Sequence, residues 1–171
     1  MAEKQPKDSK AKSGDELQLV VFNIGTEEFG VEIMNVQEII RMTNITKIPQ
    51  ASGYVKGIVN LRGRVIVVIN LDVIMGMQSK DQDENTRIIV ADIGENVMGF
   101  IVDSVSEVIR IPESSVEPAP AVIANKIGTE YVRGVGKMED RLLILLDIDR
   151  ILSANELHNV NKISTEAAAT A

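Results

Sequence analysis

Two stretches of this sequence occur twice, and a duplicated strand-rich segment restricts the fold to paired units of one design. Residues 24–41 align with 93–110 without a gap, at an offset of 69. Seven of the 18 positions are identical: Ile24/Ile93, Gly25/Gly94, Gly30/Gly99, Val36/Val105, Glu38/Glu107, Ile40/Ile109 and Arg41/Arg110. Residues 54–75 align with 131–152 at an offset of 77. Six of those 22 positions are identical: Tyr54/Tyr131, Val55/Val132, Gly57/Gly134, Arg64/Arg141, Asp72/Asp149 and Ile74/Ile151. The offset grows by eight because the second copy has a longer connection, 112–129, with three prolines. A copy of roughly 70 residues buries too little surface to be secure alone. The two copies, about 17–76 and 87–153, are therefore expected to share an interface and fold as one unit.

Strand-like runs rich in β-branched residues recur at short spacing, at 17–24, 29–33, 38–42, 64–71, 87–93, 97–102, 106–111 and 141–148. Turn signals at 25–28, 62–63, 94–96 and 139–140 separate them. This pattern predicts an all-β antiparallel barrel or sandwich. The apolar spacing within 31–40 and within 102–109 also fits a helical stripe, and predicts one helical turn between strands in each. Residues 71–75 and 148–152 predict short helices that close a unit. Ser153-Ala154-Asn155-Glu156 has the capping-box pattern that opens a C-terminal helix over part of 154–171. Residues 1–16 carry four Lys, four acidic residues and no large apolar side chain after Met1. Such a segment cannot offset its ordering entropy and predicts a mobile tail; 164–171 reads the same way.

Composition narrows the function. Aromatics are only 3% with no Trp, against 44% hydrophobic residues, so the core must be aliphatic. The absence of Cys removes disulfides, thiolate metal sites and a Cys nucleophile together. A net charge of −7 argues against nucleic acid and anionic lipid, whose binding depends on a basic surface. No stretch approaches the roughly 18–20 uninterrupted apolar residues of a membrane span, and the N-terminus lacks the apolar region of a signal peptide. The expected location is cytoplasmic.

The residues offer no catalytic constellation. His158 is the single His, so a Ser-His-Asp arrangement lacks its base, and its place beyond the repeats points to a solvated tail. Asp81-Gln82-Asp83-Glu84-Asn85 is acidic but lacks the register of a calcium loop, and reads better as a linker between the copies. Residues 128–134 lack the spacing and the Lys-Ser/Thr of a phosphate loop. Neither a metal nor a cofactor is expected, and no enzyme activity. The internal methionines Met34, Met42, Met75, Met77, Met98 and Met138 are scattered and read as core filler.

The repeat separates fold positions from free ones. Gly57 and Gly134, kept in both copies, point to a backbone demand that only Gly meets. Glu38 and Arg62 have opposite charges, whereas their counterparts Glu107 and Glu139 cannot pair. The plain reading is an exposed ion pair that contributes little. The other reading is a feature specific to the first copy, on a hairpin over 53–63 whose tip carries Arg62 and Arg64.

This hairpin, Gly57-Ile58-Val59-Asn60-Leu61-Arg62-Gly63 with Leu71 after the next strand, resembles the signature of the CheW-like domain family. The resemblance continues through Gly30-Val31-Glu32-Ile33, Val36-Gln37-Glu38-Ile39, residues 99–105 and residues 140–148, and covers about 16–153. It implies two packed five-stranded SH3-like β-barrels with short helices. It also implies a non-enzymatic adaptor of bacterial chemotaxis, coupling the cytoplasmic tips of transmembrane chemoreceptors to the histidine kinase CheA, whose regulatory domain is itself of this family. The chain carries no kinase, phosphotransfer or receiver segment, which favours the stand-alone adaptor. The family's receptor-binding region maps onto Val36, Glu38, Gly57 and Arg62, and its kinase-binding surface onto Gly99. Val67 and Asn70 depart from the family, which usually has Pro and Asp there. The alternatives are an SH3-like peptide-binding module, an oligonucleotide-binding barrel and a carboxylate hydrolase.

Overall fold

The computed structural model describes residues 15–49, 51–78, 80–123 and 131–152. The N-terminal tail through residue 14, the capping box at 153–156, His158 and the C-terminal tail lie outside these residues. The described chain runs β1 (Glu16–Ile24), β2 (Glu27–Glu32), a 3₁₀ turn (Ile33–Asn35), β3 (Val36–Arg41), β4 (Val55–Leu61), β5 (Arg64–Asn70) and α1 (Leu71–Ile74). It continues through β6 (Arg87–Ile93), β7 (Asn96–Val102), β8 (Ser104–Pro112), a 3₁₀ turn (Glu113–Ser115), β9 (Val116–Glu117), β10 (Val132–Met138), β11 (Arg141–Leu146) and a 3₁₀ turn (Ile148–Arg150). The expected all-β fold is present. Strands β4, β9 and β10 were not among the expected runs, although the hairpin over 53–63 contains β4 and the repeat register contains β10.

The strands form two sheets, ordered β9-β10-β11-β2-β1-β8 and β3-β6-β7-β5-β4. In the first, β8 and β9 are one strand bent by the 3₁₀ turn, and β9 closes it onto β10 through Val116↔Gly136 and Glu117↔Val135. In the second, Thr46 performs the same closure, exchanging backbone hydrogen bonds of 2.9 Å with Ile58 on β4. Each sheet is thus a five-stranded barrel. Pairing is not wholly antiparallel: β11 runs parallel to β2, and β5 parallel to β7.

The barrels do not coincide with the sequence copies. Strands β3 to β7 make one barrel, hereafter the first, from a continuous stretch, 36–102, while β1 and β2 join β8 to β11 in the other, the second. Each copy therefore lends its first hairpin, β1–β2 or β6–β7, to the centre of a barrel. The reason lies in their burial. Along β1, Leu17, Leu19 and Val21 enter the interior of their own barrel, while Val20, Phe22 and Ile24 enter a core shared between barrels. Along β6, Ile88 and Val90 point inward, and Ile89, Ala91 and Ile93 enter the shared core. That shared core is the largest of the three and holds Phe22, Phe29 and Phe100, with the first two rings stacked at 5.6 Å. Leu71 and Met75 close it from one cap, and Ile148, Ile151 and Leu152 from the other.

The helical reading of 31–40 corresponds to the 3₁₀ turn Ile33–Asn35. That of 102–109 does not hold, because Val102 ends β7 and 104–109 lie within β8. The cause is a β-bulge: Val21 faces Glu107 and Phe22 faces Val105, so Ser106 is an extra residue. One inserted residue breaks the two-residue alternation and imitates helical spacing. Met75 and Met98 are buried as expected, and Met42, Met77 and Met138 pack against the cores. Met34 is the exception and is largely exposed.

The demand on the paired glycines is one of approach. A Cβ on Gly57 would stand 2.3 Å from the Thr46 carbonyl oxygen, and one on Gly134 2.6 Å from that of Glu117. Both contacts sit where the barrel-closing strand crosses. Gly134→Ala is expected to lower stability by about 1–3 kcal/mol through overpacking, and Gly57→Ala by at least as much. Gly53→Ala, with nothing within 4 Å of its Cβ, should stay within about 0.5 kcal/mol of the parent. Urea unfolding of the three variants checks the order.

Candidate functional site

The hairpin between β4 and β5 turns through two residues, and both adopt positive φ, 52° at Arg62 and 85° at Gly63. This suits the right-handed twist of the flanking strands. For Gly63 the conformation carries no steric penalty, whereas Arg62 is the single described non-glycine residue that adopts it. Asn60 supports the turn by accepting from the Gly63 N–H at 2.8 Å. The turn aims the guanidinium back at β3, where Nη1 donates to Glu38 Oε1 at 3.2 Å and Nη2 to Oε2. The contact is a two-pronged ion pair, with the Arg62 side chain 67% exposed and that of Glu38 27%.

A second bulge extends this site. Val36 faces Ala91 and Glu38 faces Val90, which leaves Gln37 outside the ladder. Freed from it, Gln37 accepts from Arg64 Nη2 at 3.0 Å and donates from Nε2 to Asp92 Oδ1 at 2.8 Å. Arg62, Glu38, Arg64, Gln37 and Asp92 thus form a polar band from the hairpin tip across β3 to β6. The hydrogen bonds from Arg62 hold the Glu38 carboxyl below the usual carboxylate range. Partial desolvation opposes this, and the charges of Arg62 and Arg64 add to the lowering in smaller measure. The same hydrogen bonds raise the Arg62 pKa.

The expected site residues fall into two groups. Glu38 and Arg62 meet. Val36 begins the same strand and packs its half-buried side chain against the shared core. Gly57 is buried on β4, at the barrel closure, and offers no side chain to a partner. Gly99 is also buried, on β7 between β6 and β5, where a Cβ would come within 2.8 Å of Ile88 Cγ2. It is a packing position of the sheet, not an exposed contact. Gln37 and Asp92 are additional members of the band. Neither spacing nor residue type marked them, because a bulge and a cross-strand neighbour brought them in.

The second barrel qualifies the expected asymmetry. Glu107 is not left alone: Arg141 Nη2 donates to its Oε2 at 2.6 Å, and Arg141 Nε lies 3.4 Å from Glu28 Oε1. In the repeat register Arg141 corresponds to Arg64, not to Arg62. Both barrels therefore tie a Glu of the bulged strand to an Arg of the facing hairpin. What is particular to the first is that the Arg sits in the turn itself. At Val67, the strand β5 is continuous and paired on both sides, to Ile58 and Met98.

A family model described as the CheW-like domain matches residues 18–156. The chain is 37% identical over 147 residues to "Chemotaxis protein CheW" of Klebsiella aerogenes, covering 86% of this chain and 88% of that protein. It is 34% identical over 145 residues to the protein of that name from Helicobacter pylori, covering 84% and 87%. In structure it is similar to the scaffolding protein TtCheW of Thermoanaerobacter tengcongensis. The TM-score is 0.75 at 36% identity, over 82% of this chain and 94% of that one.

The lowered pKa of Glu38 fixes the sign of a pH effect. The folded state holds this proton less tightly than the unfolded state, so the pair supports folding above the ordinary Glu range. That support is lost as pH falls through the lowered folded value. Carboxyl NMR titration should give Glu38 a midpoint below that of an ordinary Glu, moving up in Arg62→Ala. The stability difference between parent and Arg62→Ala should shrink on acidification through the same range.

Proposed function

The chain belongs to the CheW-like domain family, and from that membership we propose that it is a non-enzymatic adaptor of a chemotaxis array. It couples the cytoplasmic tips of transmembrane chemoreceptors to the histidine kinase CheA. The observation that carries this reading is the match over 18–156, which takes in both barrels, together with relatives named as chemotaxis proteins that align over most of their own length. The protein works in the cytoplasm and joins membrane-bound receptors by binding them; among the described residues no helix is long and apolar enough to cross a membrane.

The receptor surface in this reading is the side of the first barrel that carries Val36, Glu38 and Arg62. A receptor helix lays an apolar stripe along the strand edge, where Ile39 is exposed beside Val36, and the polar band sets its register. Gly57 contributes through the barrel closure that holds the hairpin. Gly99 contributes to kinase docking only by keeping β7 close to Ile88, since the kinase domain would meet the barrel's surface and not this strand's interior.

Calorimetric titration with the regulatory domain of CheA from the same cell should give saturable one-to-one binding. Two folded partners that show no heat of binding would limit the family resemblance to fold. Arg62→Glu places like charges at the hairpin tip, and should weaken binding of a receptor signalling-tip fragment about tenfold or more while leaving the fold intact and the CheA titration unchanged. Unchanged receptor affinity in that variant would remove the site assignment.

A further inference from the structure

The two barrels carry equivalent clefts, and only one is filled from within. Each lies between the bulged residue of a hairpin and the helical turn that ends the next strand. In the second barrel the cleft, about 220 Å³, is lined by Glu32, Asn35, Arg133, Asp147 and Asp149 among others, and Arg133 Nη1 donates to Glu32 Oε2 at 2.6 Å. In the first barrel the cleft is about 380 Å³, and its lining includes Lys56, Asn70, Asp72, Asp81, Ile101 and Asp103.

The repeat register makes the correspondence residue by residue. Lys56 stands for Arg133, Asn70 for Asp147, Asp72 for Asp149, and Ile101 for Glu32. The anion that neutralises the cation of one cleft is therefore an isoleucine in the other. Among the described residues Lys56 has neither an ion-pair nor a hydrogen-bond partner for its ammonium. Three of the other four charged groups in the lining are already engaged, and Asp81 is not among them. Lys80 pairs with Asp83 at 3.3 Å, Asp103 accepts from the Gly25 N–H at 2.7 Å, and Asp72 from the Val73 N–H at 2.7 Å. Among the described residues no three acidic or His groups converge to hold a metal ion.

We propose that this cleft binds a carboxylate-bearing ligand of amino-acid size, the ligand's carboxylate taking beside Lys56 the place that Glu32 takes beside Arg133. The protein supplies its own precedent for the ligand chemistry. Ile101 lends the lining apolar surface for the ligand's stem, and the Asp81 carboxylate, which has no partner among the described residues, suits an ammonium. The lining residues Lys80 to Gln82 belong to the segment joining the two sequence copies, so an occupied cleft ties this segment to the first barrel. The carboxylate comes either from a free amino acid or from an acidic side chain of a partner, and the two sources differ in whether the α-ammonium is needed.

The test follows backbone amide shifts of the full chain during titration with L-glutamate and, separately, with N-acetyl-L-glutamate α-amide, at matched ionic strength. The proposal expects saturable shifts at Lys56, Asn70 and Ile101, an affinity about tenfold lower in Lys56→Ala, and no binding in Ile101→Glu, which installs the missing anion. Binding of glutamate alone identifies a free amino acid as the ligand; binding of the amide as well identifies an acidic side chain. No saturable shift with either probe, or shifts undiminished in both variants, overturns the proposal.

Discussion

The structure depends on strands that are apolar on both faces. In β1, β5 and β6 one set of alternate side chains fills a barrel and the other fills the space between barrels. A sheet with one wet face could end at its own edge; these strands leave no wet face to present. Each barrel alone would expose Val20, Phe22 and Ile24, or Val67, Ile69 and Ile89, to water. Burial of these side chains, at roughly 25 cal/mol per Å² of apolar surface, outweighs any single polar contact on the surface. Because so much apolar surface lies at the junction, an aliphatic core with only three Phe is enough to hold two small barrels.

The polar band is an exception built at the edge of this arrangement. Two bulges, at Gln37 and Ser106, release one residue each from the ladder. In the first barrel the released residue became a bridge between Arg64 and Asp92, and the hairpin turn accepted an arginine in a conformation better suited to glycine. The backbone there is committed to placing a charge, at some cost to local conformational ease. The matching Glu139-Asp140 turn makes no such commitment, since its barrel draws the equivalent contact from Arg141.

Much of this was legible in the residues, and each exception has its own physical cause. Alternation and turn signals located β6 to the residue and most other strands within two residues, and the duplicated Gly57 and Gly134 pointed to a glycine-only backbone demand, which the structure places at the barrel closures. The helical reading of 102–109 failed because one bulged residue alters the apparent period. The mixing of the two sequence copies within each barrel was hidden for another reason. Sequence similarity records common descent of segments, while pairing is decided by which strands can bury two faces. Nothing in β1–β2 or β6–β7, read locally, says that the partner lies in the other copy. The ion pair was visible as a charge asymmetry, but the compensating Arg141 was not, because it stands at a different register position from Arg62.

The chain passes between the barrels at two places, through the 3₁₀ turn at Ile33–Asn35 and through Asp103, so the first barrel is a loop of 36–102 clamped at both ends. A body joined by one strand of chain can swivel about it; a body joined at two points, with a continuous apolar seam between them, has lost that freedom. Mechanically the pair is a strut. Any adaptor built this way passes on displacement of one end as displacement of the other, and a load on the Arg62 hairpin reaches the second barrel without being absorbed by a hinge.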